Sequence, residues 1–289
     1  MNENLSRRRF VGAAAAGAAA LSAAGWAAEQ PSETPAAGPR TRSILDAHVH
    51  LKHGNAERTE YSAQVIVQTM DAVGISQAIV FAMSTTTKRS MEMAEAAVSQ
   101  YPQRLIPYVY ALPHYERPVI HEIEAALKGR RFRGVKIHVG ECTLADYVID
   151  PVLKLAGKYG ALCLVDLGGR LDVAQRLAQA FPDTRLVIAH MGRYLAKDAA
   201  LVDQFIRLAE QHRNVVLDTS GVALADKIVE AAKRIGSARL VWGTDGPHAD
   251  PDTVTFARNE LNKILKLDLA EADKANILGG SVRALLGLS

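Results

Sequence analysis

Three residues within one short stretch have types and spacing suited to metal chemistry. Residues 43–51 read Ser-Ile-Leu-Asp-Ala-His-Val-His-Leu, apolar and β-branched with a polar group at every second position, the pattern of a strand. A period of two places Asp46, His48 and His50 on one face. Two adjacent imidazoles are costly to bury without partners. They are also half of a divalent metal site. Packed or surface histidines are the competing reading, and the rest of the chain decides between the two. Lys136, His138, Asp166, His190, Asp218, Ser220 and Asp245 are the further candidates, each close to the end of a short apolar run.

Those runs imply the elements that must position them. After the first strand, strands are expected at 77–83, 104–112, 134–139, 161–167, 185–189, 215–220 and 240–244, with a helical pattern between each pair and a final helix at 270–278. The strands are apolar on both faces and alternate with helices, as in a parallel sheet covered by helices. Eight such units predict an α/β fold, a single-domain (β/α)8 TIM barrel. An open doubly wound sheet is the alternative, but no Gly-x-Gly-x-x-Gly follows a strand. In a barrel the active site lies at the C-terminal ends of the strands. The polar candidates collect there, with His48 and His50 on the first strand, Lys136 and His138 on the fourth, Asp166 on the fifth, His190 on the sixth, Asp218 and Ser220 on the seventh and Asp245 on the eighth.

The chain of 289 residues begins differently. Ser-Arg-Arg-Arg-Phe at 6–10 followed by an Ala-rich run reads as a twin-arginine export signal over residues 1–27, too weakly apolar to span a membrane well. A Pro-, Ala-, Ser- and Glu-rich linker over 28–42 follows, and then the barrel over 43–289. Export to the periplasm or another extracytoplasmic compartment is the expected localisation. Residues 1–27 hold three arginines and one glutamate, so the remainder is close to neutral and carries no electrostatic footprint for nucleic acid. Cys142 and Cys163 form no disulfide framework. Cys163 has the opposite parity to Asp166, and no bridge between the two is expected.

Four segments together resemble the amidohydrolase superfamily, in the amidohydrolase-related branch typified by aminocarboxymuconate semialdehyde decarboxylase. They are Asp46-Ala47-His48-Val49-His50, Gly134-Val135-Lys136-Ile137-His138, Val187-Ile188-Ala189-His190-Met191-Gly192 and Trp242-Gly243-Thr244-Asp245-Gly246-Pro247-His248, with Ile277-Leu278-Gly279-Gly280 near the end. The resemblance implies one divalent metal, usually zinc, held by the His-x-His pair, a fifth-strand histidine and the eighth-strand aspartate, with the sixth-strand histidine acting on substrate or water. Carried over, His48, His50 and Asp245 are ligands and His190 is catalytic. The fifth strand departs from the pattern, with Asp166 where the family has histidine. Three arrangements follow. Asp166 ligates and shifts preference towards Mn or Fe; or His138 supplies a nitrogen with Asp166 behind it; or the metal is lost.

A metal with an open position lowers the pKa of bound water to about 7. Asp245 can accept its proton, and His190 can stabilise an oxyanion or protonate a leaving group. The leading expectation is a metal-dependent hydrolase of a small ester, lactone or amide. The alternatives are a decarboxylase of a small unsaturated or aromatic acid and a metal-free ligand-binding barrel. Lys136, His138 and Arg193 are candidate substrate-binding residues, Lys136 also as a charge partner of Asp166 and Arg193 as a clamp for a substrate carboxylate. The expected partner is a small molecule rather than nucleic acid, and a homo-oligomer is left open. His248 is expected to be structural or to support a ligand, and His53, His121 and His212 are expected at the surface.

Overall fold

The computed structural model describes residues 43–129 and 131–288, and the expected export signal and linker lie outside them. Eight parallel strands follow one another in chain order. They are β1 (Ile44–Lys52), β2 (Ile75–Ala82), β3 (Leu105–Tyr110), β4 (Gly134–His138), β5 (Leu162–Asp166), β6 (Arg185–Ile188), β7 (Val215–Asp218) and β8 (Leu240–Val241). Helices α1 (Ala63–Val73), α2 (Thr87–Gln100), α3 (Ile120–Lys128), α4 (Asp146–Tyr159), α5 (Leu171–Ala180), α6 (Ala199–Gln211), α7 (Ala225–Ile235) and α8 (Thr253–Leu265) alternate with them. The short eighth strand continues as extended chain against β1. Ala47 N–H donates to Trp242 O at 2.9 Å, Asp245 N–H to His48 O at 2.9 Å and His50 N–H to Gly246 O at 2.7 Å. These bonds bring the two sheet edges together, giving the (β/α)8 barrel that the alternation of runs predicts.

Alternate side chains divide into two apolar layers. Ile44, Val49, Leu51, Val135, Ile137, Cys163, Val165, Val215 and Leu217 pack between strands and helices. Leu45, Ala47, Phe81, Tyr108, Tyr110, Leu162, Leu164, Val187, Val216 and Val241 fill the barrel. By the same alternation Lys136, His138, Asp166 and Asp218 point inward. Both cysteines are free and buried, with Cys163 on the helix side. The end of the chain departs from expectation. Instead of one helix ending near 278, α9 (Glu271–Ala275) runs through a wider turn at Asn276–Gly280 into α10 (Ser281–Leu286). Val282 and Leu286 of α10 complete the apolar filling of the barrel. Arg133 and Arg185 donate to the carbonyls of Leu286 and Leu285. Covering this apolar floor is what carries the helix past the two glycines. Among the described residues, no helix is long and apolar enough to cross a membrane.

Candidate metal centre

The first strand does not keep a single period. Asp46 pairs with Ala78 and Val49 with Val80, so three steps of β1 oppose two of β2. This bulge shifts the phase of the strand. Leu45 and Ala47 face the barrel interior, yet Val49 and Leu51 face the helices, so His48 and His50 turn inward. Asp46 therefore does not share their face. It borders a small void on the helix side with Val49, Ile66, Met70 and Phe256. Its Oδ1 accepts from the N–H of His48 at 3.0 Å and of Thr244 at 2.9 Å, and its Oδ2 accepts from the Thr244 hydroxyl at 2.7 Å. Burial pushes its carboxyl up to about 7 against these bonds. Asp46 pins β1 to the segment after β8, which is a structural task.

The inward residues converge. Asp245 Oδ1 lies 3.1 Å from His48 Nε2 and 2.9 Å from His50 Nε2. His48, His190 and Asp245 each offer a donor atom, and these atoms lie within 4.8 Å of one another. His190 and Asp245 both hold left-handed backbone, with φ of 57° and 59°. That conformation is strained for side chains of these types and concentrates at working sites. Asp166 stands across the cavity, its Oδ2 3.3 Å from His138 Nε2 and 3.4 Å from His190 Nε2. Lys136 Nζ lies 3.0 Å from His48 Nε2 and 5.3 Å from the centre of the Phe81 ring. A cavity of about 270 Å³ opens on the group, lined by His50, His53, Met83, Lys136, His138, Asp166, His190, Tyr194, Asp245 and His248 among others. Arg193 is exposed and absent from that lining, its side chain lying against Gly169, while its neighbour Tyr194 takes part.

Two buried carboxylates, Asp166 and Asp218, and the partly buried Asp245 set the electrostatics. Burial opposes the charge on Asp245, yet His48 and His190 hold its carboxyl well below the usual range. Asp166 is likewise held far down against burial, by hydrogen bonds from His138 and His190 and by the Lys136 charge. Asp218 is held at about 2 against burial by its bond from His48 and by the charges of His48 and His190. Burial lowers His48, His50 (to about 4) and Lys136. At His190 the surrounding carboxylates, Asp245 first, outweigh burial and raise the imidazole to about 9. A dense set of carboxylate oxygens beside imidazole nitrogens calls for compensating cations, and this donor set fits a divalent ion.

One residue of the cavity lining, His53, escapes a reading of the sequence. His53 is buried, not at the surface. It stacks on His50 with ring centres 4.4 Å apart, and its Nε2–H donates to Pro247 O at 2.6 Å. It falls outside the strand period, so no sequence signal marks it. Asp218 and Ser220 were marked by their place at a strand end, but not by any role. In the structure Asp218 Oδ2 accepts from His48 Nδ1 at 3.0 Å. His121 is exposed and His212 half-buried.

Comparison with known proteins agrees with this architecture. A probable 2-pyrone-4,6-dicarboxylic acid hydrolase from Acinetobacter baumannii, crystallised with citric acid, superposes with a TM-score of 0.65 at 18% identity, covering 85% of this chain and 100% of that one. An amidohydrolase from Burkholderia multivorans with bound zinc gives 0.66 at 14% identity, over 86% and 100%. A dihydroxybenzoic acid decarboxylase from Polaromonas with manganese and 2-nitroresorcinol gives 0.62 at 14%, over 85% and 97%. A search of curated proteins finds no match. At these identities the likeness shows the fold, and the sequence carries the rest. The profile of the amidohydrolase family matches residues 39–288, and the chain belongs to that family.

Proposed function

We propose that this protein is a metal-dependent hydrolase of a small ester, lactone or amide. The observation that carries the reading is the convergence of His48, His190 and Asp245 on one point at the catalytic end of the barrel, beside His50 and an open cavity of about 270 Å³. His48, His50 and Asp245 are the residues we assign to the metal, with His190 and Asp166 in reach of the same cavity. When bound, a zinc, manganese or iron ion there would acidify water and polarise a carbonyl.

The chain's own groups do the remaining work. Asp245, held ionised, accepts the proton of the attacking water. His190 keeps a proton on Nδ1, which donates to Ser220 O at 2.9 Å. Its Nε2 edge faces the cavity, where it stabilises the developing oxyanion and protonates the leaving group. Lys136 and His138 line the same cavity, and their charge and donors favour a substrate carrying a carboxylate. The centre of the buried Phe81 ring lies 5.3 Å from Lys136 Nζ. Arg193 reaches such a carboxylate only by swinging from its exposed position.

A second reading is a decarboxylase of a small unsaturated or aromatic acid. It is favoured by the raised pKa of His190, which keeps a proton ready for delivery to carbon. Elemental analysis of untagged protein, followed by product analysis on lactones, esters and aromatic acids, separates the readings. Hydrolysis products with a bound metal support the first, and carbon dioxide release supports the second. If metal neither copurifies nor rebinds, the metal-free binding barrel replaces both. We also infer export by the twin-arginine route from the arginines at 7–9. Amino-terminal sequencing of protein from the periplasm should find a start near residue 28, and an intact start in the cytoplasm would overturn it.

A further inference from the structure

We infer that Asp218, together with Ser220, is a positioning residue that fixes the orientation and tautomer of His48 and His190 at once. The inference rests on the metal-site reading above and extends it to a residue outside that site's ligands. Both residues are fully buried at the end of β7, and neither lines the cavity. Asp218 Oδ1 accepts from the N–H of Ser220 at 3.0 Å. Asp218 Oδ2 accepts three donors: the Ser220 hydroxyl at 2.5 Å, His48 Nδ1 at 3.0 Å and the backbone N–H of His190 at 3.3 Å. An ionised carboxylate only accepts. His48 must therefore carry its hydrogen on Nδ1, which leaves the Nε2 lone pair facing Lys136 Nζ at 3.0 Å and Asp245 at 3.1 Å, on the side of the close group.

His190 is held by the same two residues. Its Nδ1 lies 2.9 Å from Ser220 O and 3.1 Å from Ser220 Oγ. A backbone carbonyl also only accepts, so this Nδ1 keeps its hydrogen and the Nε2 edge of His190 turns to the cavity it lines. The bond from the His190 N–H to Asp218 further ties down a backbone at φ 57°. Ring stacking completes the arrangement, with the His48 and His190 centres 5.2 Å apart and nearly parallel at 24°.

His50 is the internal contrast. Among the described residues its Nδ1 is buried without a hydrogen-bond partner, so nothing grips this ring from behind; its one side-chain hydrogen bond is in front, from Nε2 to Asp245 Oδ1 at 2.9 Å. The two imidazoles gripped by Asp218 and Ser220 are the same two that form the close group with Asp245. Orientation from behind and convergence in front are separate observations that select one pair. Outer partners of this kind typically govern metal affinity by about 10- to 100-fold.

The test uses Asp218→Asn and Ser220→Ala in the full chain, read by zinc affinity in competition with a chelator and by nitrogen NMR of histidine-labelled, zinc-free protein. An amide at 218 presents N–H to either His48 Nδ1 or the Ser220 N–H. In the first orientation it moves the His48 hydrogen to Nε2. We expect Asp218→Asn to shift the His48 signals to the Nε2–H form and to weaken zinc by about 10- to 100-fold. Ser220→Ala should leave Nδ1–H in place and weaken zinc less. The inference is overturned if wild-type His48 carries its hydrogen on Nε2, or if folded Asp218→Asn keeps wild-type zinc affinity and His48 signals. It is also overturned if Ser220→Ala costs as much as Asp218→Asn. Wild-type protein that shows Nδ1–H on both rings yet turns over no substrate leaves the positioning role standing and removes only the catalytic reading.

Discussion

At the scale of single residues, position in the first strand decides role more than residue type. Asp46, His48 and His50 are spaced alike, yet one strand bulge sends Asp46 to the helix side. Replacing Asp46 with Ala strands two donors of Thr244 and one of His48, so it should cost about 2–4 kcal/mol of stability. Zinc bound per folded molecule should not change; loss of zinc in a fully folded variant would return Asp46 to the site. His190 gives the pH behaviour. Its folded pKa of about 9 lies above the ordinary 6.5. A raised imidazole stabilises the fold fully below about 6.5, and that contribution is lost as pH rises through about 9. Zinc-free protein should thus lose stability over this window, and His190→Gln should flatten the trend in denaturant titrations. If the Nε2 of His190 meets the metal, zinc affinity rises by about tenfold per pH unit over the same window.

At the scale of elements, close backbone approaches hold the barrel's seam. A Cβ on Gly243 would sit 2.6 Å from His48 Cβ and 2.9 Å from His48 N. A Cβ on Gly279 would sit 2.5 Å from Ser43 O and 3.0 Å from Leu45 N. Neither obstacle is a flexible side-chain end, so β1 itself must shift. Both Gly→Ala changes should destabilise by about 1–3 kcal/mol. They differ in consequence. Gly243→Ala pushes on His48 and should also weaken zinc, whereas Gly279→Ala presses on the opposite end of β1 and should leave zinc affinity unchanged. Calorimetry with a chelator-competition titration checks the pair.

At the scale of the whole molecule, the inward faces of β4, β5, β7 and the seam between β1 and β8 crowd three carboxylates into a low-dielectric interior. Cation binding relieves that repulsion and is available only to the folded chain. At a metal concentration about 100 times Kd, linkage adds about 2.7 kcal/mol. For a barrel of this size that corresponds to a midpoint rise of about 5–10 °C. Chelation should remove that rise and zinc should restore it. A midpoint indifferent to both would count against a metal at this site.

The sequence by itself determined the architecture and the cast. Periodicity and alternation are local properties, so eight strand–helix units and the polar residues at their ends were readable along the chain. His48, His50, His190 and Asp245 stood out as polar residues at the ends of apolar runs, a local fact, and the family resemblance supplied their expected roles; their inward direction comes from the β1 bulge and from left-handed backbone beyond β6 and β8. Tertiary structure decided what depends on register between strands. The one-residue bulge that separates Asp46 from His48 arises from pairing with β2, and no property of residues 43–51 alone announces it. His53 is buried only because Pro247 and His50 come to it from elsewhere. Asp166 meets His138 and His190 rather than standing alone, and Asp218 joins rings on two other strands. Such roles are fixed by contacts across more than a hundred residues of chain in some cases and by pairing between neighbouring strands in others, and a linear pattern does not encode the distance between them.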